Sequence, residues 1–546
     1  MAGVTVILLF CLVALSGQFY LAMTTTIPKA GGEYTEGLIG SPRYVNPILA
    51  QTNEVDLDLA RLIFSGLLKQ DKNHQLVTDL AESYEISADQ LVYTFKLKSN
   101  IKWHDGEPFR ADDVIFTFAS LQDPEFKSPL LRSFRGVMGE KIDETTVRFT
   151  LKEPFSPFLG LLTFGILPEH LWYNVAPATS ELAELNKRPV GTGPWKFDNF
   201  KKDKTGVIKS YTIIPNPYYY GDKPYLQKII FKFYGDTAAA VEAIKNKEVM
   251  AISYLPKDLK DELKKYKNLV YHNLNQPQYT AIFFNQNENE LLQADYIRQS
   301  LALATDKEKI IREAFNNEGR AIDGPTLPGM DLSPNIQKYG YEPQVAAELL
   351  EKNAWVMTAT TTEGGITQQL RMKKAWPLEI TLTTVNQPEN VKIAELVKES
   401  WNQIGWKTNL EIVDKAKIMQ DAINPRKYQA LLFGENLGSD PDPFPFWHSS
   451  QNEYPGLNLA IFSNKRVDQL IEEARKTNNW EERQKKYTEF QEIVAKELPA
   501  IFLYNPTYTY PQDKQIKGFN SYNVAVPSDR FANLNEWYMK TKRVWK

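Results

Sequence analysis

The chain has 546 residues, more than one hydrophobic core organises, so at least two lobes are expected. Its 64 Lys and Arg nearly balance 67 Asp and Glu, for a net charge of -3, so no strong basic bias points to nucleic acid and no acidic run points to a solvating tail. A single cysteine, Cys11, excludes an internal disulfide framework and a cysteine-based metal site.

Ala2 to Met23 contains no charged side chain. Roughly 20 apolar residues suffice to cross a bilayer as a helix, and the apolar run that resumes at Phe19 favours a retained membrane anchor over residues 1–24. The competing reading is a signal-peptide core from Val4 to Leu15, with Ala14 and Ser16 as the small residues of a cleavage site. A short linker over 25–32 follows. Glu33 to Asn46 supplies a first strand and the turn Ser41-Pro42-Arg43. Leu57 to Leu68 carries Leu59, Leu62, Ile63 and Leu67 at helical spacing.

Over residues 89–118 Leu91, Tyr93, Phe95, Leu97, Ile101 and Trp103 alternate with Thr94, Lys96, Lys98, Lys102 and His104. That period describes a strand, or two short ones, with one buried face. His104-Asp105-Gly106-Glu107 makes a tight turn. Asp112 then caps a helix with Val114, Phe118 and Leu121 on one side. Further on, Val147 to Leu151, Ile229 to Tyr234 and Tyr279 to Asn285 read as strands, Pro189 to Phe197 as a glycine turn opening a strand, and Thr237 to Asn246 as a helix. From Tyr296 the pattern becomes helical, with Asp306 capping a helix through Ile310, Ile311 and Phe315. Gln344 to Asn353, Val391 to Ile404, Val467 to Lys476 and Trp480 to Lys496 are amphipathic helices. Leu378 to Thr384, Lys407 to Val413, Ala430 to Phe433 and Glu497 to Tyr510 read as strands between or after them. Strands interleaved with helices predict α/β lobes.

Catalytic patterns are weak. His74, His104, His170, His272 and His448 are scattered, and none has a partner at the i+3 to i+5 spacing of a helix-borne zinc pair. His104 reads as a turn residue. Gly191-Thr192-Gly193-Pro194 lacks the Gly-Lys-Ser/Thr ending of a phosphate loop. No metal, no cofactor and no enzymatic activity are therefore expected. An extracytoplasmic hydrolase, the alternative from another class, would need a nucleophile–base or paired-carboxylate site, and the sequence shows neither at useful spacing. Residues 434–448 are the richest candidate site. After a strand they offer two glycines, the carboxylates of Glu435, Asp440 and Asp442, and aromatic anchors including Trp447. The competing reading is a rigid, Pro-studded loop whose Asp residues cap turns.

The wording of these segments resembles the extracytoplasmic solute-binding proteins of the peptide, dipeptide and nickel class (solute-binding protein family 5), the receptors of ABC importers. The resemblance rests on Trp103-His104-Asp105-Gly106-Glu107-Pro108 with Ala111-Asp112-Asp113-Val114, on Gly66-Leu67-Leu68, Asp79-Leu80-Ala81-Glu82, Gly191-Thr192-Gly193-Pro194-Trp195, Ile404-Gly405-Trp406 and Asp440-Pro441-Asp442-Pro443, in the family's order. It implies an α/β, two-lobed, periplasmic-binding-protein-like (class II) fold with an extra subdomain inserted in lobe I. Mapped here, lobe I is 33–285 plus 500–546, the insertion is about 58–187, and lobe II is 286–499.

The resemblance further implies a monomeric receptor on the extracytoplasmic face of the membrane, with a short peptide as ligand and an ABC permease as partner. An oligosaccharide or a metal chelate is the alternative solute. In peptide-binding relatives a Gly-Trp-x-Ala-Asp-Tyr segment precedes the Asp-Pro, and its Asp holds the peptide's amino terminus. Here Glu435 stands at the Trp position and Leu437-Gly438-Ser439 replaces Ala-Asp-Tyr, so Glu435 or Asp440 would have to substitute, with Asn436 and Leu437 beside them. The first strand and its loop, Leu38 to Asn46 with Tyr44 and Asn46, would pair with peptide main chain. Tyr279 and Asn285 would stand near the crossing between lobes.

Overall fold

Two large sheets divide the chain. The computed structural model describes residues 15, 18–72, 75–327, 336–361, 367–438, 440 and 442–546. Most of the apolar segment expected as an anchor lies outside the described residues, as do His74, Ser439 and Pro441. Among the described residues no helix is long and apolar enough to cross a membrane.

The first sheet has seven strands in the order 269–275, 507–513, 251–252, 33–39, 228–234, 208–215 and 195–202. Glu33–Ile39 lies inside it, parallel to Lys228–Tyr234 on one side and to Ala251–Ile252 on the other. The chain leaves this sheet after Ile39 and re-enters it at Trp195. Between them lies the insertion, whose antiparallel four-stranded sheet contains Val92–Leu97 and Thr146–Thr150. Tyr93, Phe95 and Leu97 point into the same continuous core as Tyr34 and Phe231, so the insertion and lobe I are held together by shared apolar burial.

The second sheet has six strands in the order 320–321, 500–505, 278–284, 430–436, 379–385 and 407–413. Gln278–Phe284 is buried at every position from Tyr279 onward because both of its faces are covered. Ile282 and Phe284 enter one core, and Tyr279, Ala281 and Phe283 enter the other. Hydrogen bonding thus puts 278–284 and 500–505 in the second sheet, whereas the sequence boundaries left 279–285 and 500–505 with lobe I. The chain crosses between sheets at 276–277 and at Pro506. The Asn505 side-chain amide donates to the carbonyls of Gln276 and Gln278, each at 2.7 Å, and stitches the two crossings together.

Local expectations meet three differences. The helix expected from Leu57 runs Glu54–Ile63, capped by Asn53, and ends early because Phe64 is extended. The helix after the tight turn is Ala111–Gln122. Its start is held by Asp113, which accepts the Arg110 N–H at 2.8 Å, while Asp112 pairs with Lys141 at 2.7 Å. Thr24–Lys29, which begins at the last residue of the expected anchor and runs into the expected linker, is a strand antiparallel to Lys540–Trp545.

Candidate functional site: the loop at the lobe crossing

The strand Ala430–Asn436 ends beside the first crossing, where the Leu437 N–H donates to the Pro277 carbonyl at 2.7 Å. The loop that follows is therefore anchored to the crossing between the sheets. Its turn is made by Asn436, whose Oδ1 accepts from the Gly438 N–H at 2.9 Å, with Gly438 in the left-handed region at φ 70°.

Each carboxylate of the loop has a different partner. Glu435 pairs across the sheet with Tyr279, and the Tyr279 hydroxyl donates to Glu435 Oε2. Burial raises the Glu435 carboxyl to about 8, against the opposing pull of Tyr279 and Arg426. Its other oxygen, Oε1, has no hydrogen-bond partner among the described residues. Asp440 accepts from Arg483 Nη2 at 2.6 Å, and the same nitrogen donates to the Tyr487 hydroxyl at 3.0 Å. Burial pulls the Arg483 guanidinium down, but Asp440 and Tyr487 outweigh it and hold the group above its ordinary value. Asp442 is 2.8 Å from Arg475 Nε and accepts the Phe444 N–H at 3.1 Å. Burial raises its carboxyl, and Arg475 offsets part of that. Both arginines come from one helix pair, Lys465–Arg475 and Trp480–Glu497, capped by Asn464 and Asn479.

The same helix pair touches the insertion. The Ser156 N–H donates to the Arg475 carbonyl at 2.7 Å. Asn478 donates from its backbone to Gln90 Oε1 at 2.8 Å and from its side chain to the Tyr93 hydroxyl at 3.0 Å. The Arg475 guanidinium carbon lies 4.1 Å from the centre of the Phe444 ring and 5.0 Å from that of Phe155. The two lobes thus meet beside the loop as well as at the covalent crossings.

Trp447 is buried against Tyr279's core partner Phe502. Asn285 is at the opposite end of its strand from Tyr279 and donates to the Arg426 carbonyl at 2.8 Å. The first strand stops at Ile39 and is flanked on both sides, so a peptide can pair only with what lies beyond it. There, the Arg43 and Tyr44 N–H groups both donate to Asp56, at 2.8 and 2.9 Å. Asn46 is buried, bonded to Asn186 and to the Ile48 N–H. The structure therefore brings Tyr279, Glu435, Asn436, Leu437 and Trp447 together, with Asp440 further along the loop, and leaves Asn285, Tyr44 and Asn46 apart from them. Sequence reasoning missed Arg475, Arg483 and Asn478. Their only signal was two basic residues and an amide around the break between two amphipathic helices. Among the described residues no group of three His, Cys, Asp or Glu side chains is set to hold a metal ion.

Two α/β lobes joined by two crossings, with a charged loop beginning at the crossing, define a two-lobed binding protein. Residues 75–456 match the profile of bacterial extracellular solute-binding proteins, family 5, and the chain belongs to that family. It is 28% identical over 530 residues to the oligopeptide-binding protein AppA of Bacillus subtilis, covering 94% of this chain and 92% of that one. The structure of AppA in complex with a nonapeptide superposes with a TM-score of 0.67 at 26% identity, covering 94% of this chain and 100% of that one. NikZ from Campylobacter jejuni, solved in complex with Ni(L-His), superposes with a TM-score of 0.68 at 28% identity, with the same coverage.

Proposed function

We propose that the chain is a membrane-tethered, monomeric substrate-binding protein of an ABC importer, capturing short peptides by closure of its two lobes and releasing them unaltered to the permease. The observation that carries this reading is the 28% identity to an oligopeptide-binding protein over 94% of the chain. Closure follows ligand binding only through contacts made in the closed state and absent from the open one. The uncharged segment Ala2 to Met23 supports the tether.

Electrostatics favour Asp440 over Glu435 as the holder of a peptide ammonium. With its carboxyl raised to about 8, Glu435 is mostly neutral at pH 7 and offers an ammonium little charge. The Asp440 side chain is 25% exposed and, among the described residues, paired with a single arginine, which a ligand ammonium can share or displace. Calorimetry with a short peptide tests this. Asp440→Asn, or acetylation of the peptide, should weaken binding by about 30- to 5000-fold, the loss of roughly 2–5 kcal/mol for one partner of a desolvated charge pair. Glu435→Gln should change affinity far less. Equal losses from both substitutions would overturn the assignment.

A second reading, a metal chelate, is favoured by the 28% identity to a protein solved with Ni(L-His). Titration with nickel–histidine in place of peptide separates the two.

A further inference from the structure

The two ends of the described chain form one charged and aromatic ribbon. Thr24–Lys29 pairs antiparallel with Lys540–Trp545 over six residue pairs, as a two-stranded sheet separate from the others. Residues 18–23 are helical. The end of that helix is fastened to the ribbon: Thr24 Oγ1 donates to the Tyr20 carbonyl at 2.5 Å, Arg543 Nη2 donates to the Leu21 carbonyl at 3.2 Å, and the Lys546 N–H donates to the Met23 carbonyl at 2.9 Å. An arginine on the last carbonyls of a helix is a favourable cap. The Tyr20 and Trp545 rings meet edge to face at 5.7 Å.

The surface of this unit has a distinct composition. Phe19 is 57% exposed, Tyr20 43% and Trp545 65%, with Leu21 and Met23 exposed beside them. Lys540, Lys542, Arg543 and Lys546 are exposed on the C-terminal strand and Lys29 lies on the other. Residues 18–32 and 537–546 contain no Asp or Glu. Exposed aromatics and cations without anions are the composition of a protein surface at the level of lipid headgroups, and a cluster of exposed apolar side chains this dense calls for a partner. The segment leading into the ribbon is itself apolar and uncharged.

We propose that this ribbon is a seat on a bilayer surface containing anionic lipid. Phe19, Tyr20 and Trp545 enter the headgroup region, and Lys540, Lys542 and Lys546, which alternate to the other face of the ribbon from Trp545, reach back to the phosphates with their long side chains. Because the ribbon is hydrogen-bonded to the helix end, it fixes how the folded body stands on the membrane, which a flexible linker would not do.

The test uses the full chain with vesicles of brominated phosphatidylcholine, alone or with about 30% phosphatidylglycerol, and reads quenching of tryptophan fluorescence. The expected result is quenching that is stronger with phosphatidylglycerol and falls in Trp545→Phe. The variant K540Q/K542Q/K546Q, which keeps Arg543 and its helix contacts, should lower the preference for anionic vesicles by on the order of tenfold to a hundredfold. Association with both vesicle types and equal quenching of parent and Trp545→Phe would overturn the seat and leave the tether standing. Association confined to anionic vesicles and lost in the lysine variant would support the seat and speak against the tether. No association with either vesicle would overturn both.

Discussion

The Tyr279 hydroxyl donates to the carboxyl of Glu435, its direct partner across two neighbouring strands of the second sheet. The pair is buried, and burial raises Glu435 from 4.5 to about 8. Between those values the folded chain keeps a proton that the unfolded chain has released. Stability present below pH 4.5 is therefore lost as the pH rises to 8, by about 1.4 kcal/mol per pH unit for this one group. Glu435→Gln removes that proton exchange. Urea denaturation from pH 5 to 7.5 should show a shallower decline in the variant, and an unchanged slope would contradict the assignment.

His104 responds to pH with the opposite sign. Its Nδ1 accepts the Gly191 N–H at 3.1 Å and its Nε2 lies 3.1 Å from the Gly193 carbonyl. The imidazole clamps the glycine turn, while Gly193 donates to the Ile63 carbonyl at 2.9 Å. A Cβ at Gly191 would stand 1.9 Å from that Ile63 oxygen, so only glycine fits. Burial lowers His104 from 6.5 to about 4, so stability present above pH 6.5 is lost as the pH falls toward 4. His104→Ala should cost about 1–3 kcal/mol at pH 7.5, where an N–H loses its acceptor. The penalty should narrow at pH 5, as read by chemical denaturation.

Arg530 is wholly buried between two carboxylates. It reaches Glu36 through Nε at 2.9 Å and Nη2 at 2.8 Å, and Asp58 through Nη1 at 2.9 Å and Nη2 at 2.6 Å. Glu36 also accepts from the hydroxyls of Tyr34 and Tyr510. The cluster ties the first strand, the first long helix and the C-terminal segment into one core. Arg530→Ala leaves two buried carboxylates without their counter-ion and should cost about 3–5 kcal/mol. The triple variant R530M/E36Q/D58N should recover most of that loss, measured as the midpoint of guanidinium unfolding.

Contact between the insertion and the second lobe should set the resting geometry of the cleft. The double variant Q90A/N478A deletes three hydrogen bonds there. Each contributes roughly 0.5–1.5 kcal/mol, so the balance between touching and separated lobes should move by about tenfold or more. Small-angle scattering of the ligand-free variant should give a larger radius of gyration than the parent. An equal radius would show that these contacts do not govern opening.

Local patterns in the sequence carried most of the elements. The alternation at Tyr93, Phe95 and Leu97 is the strand Val92–Leu97, and Asp306 caps its helix by accepting from the Lys309 N–H at 2.8 Å. Pairings between distant residues were not legible. Glu435 stands 156 positions from Tyr279, and its neutralising burial arises from a register that no local period encodes. The ion pairs of Asp440 and Asp442 are not legible either, because Arg483 and Arg475 lie some 30 to 40 positions away on helices whose apolar faces show a period and whose polar faces do not. The lobe boundary moved for the same reason: the apolar runs at 279–285 and 500–505 name strands, and only hydrogen bonding says which sheet they join.

Native mass spectrometry of the full chain purified without added ligand, with the bound species released by acid and sequenced, shows whether short peptides are captured between the lobes. The expected result is a set of short peptides at up to one per chain, exchangeable for a defined synthetic peptide. Recovery of a non-peptide solute such as a metal chelate, with no uptake of any synthetic peptide, would contradict it.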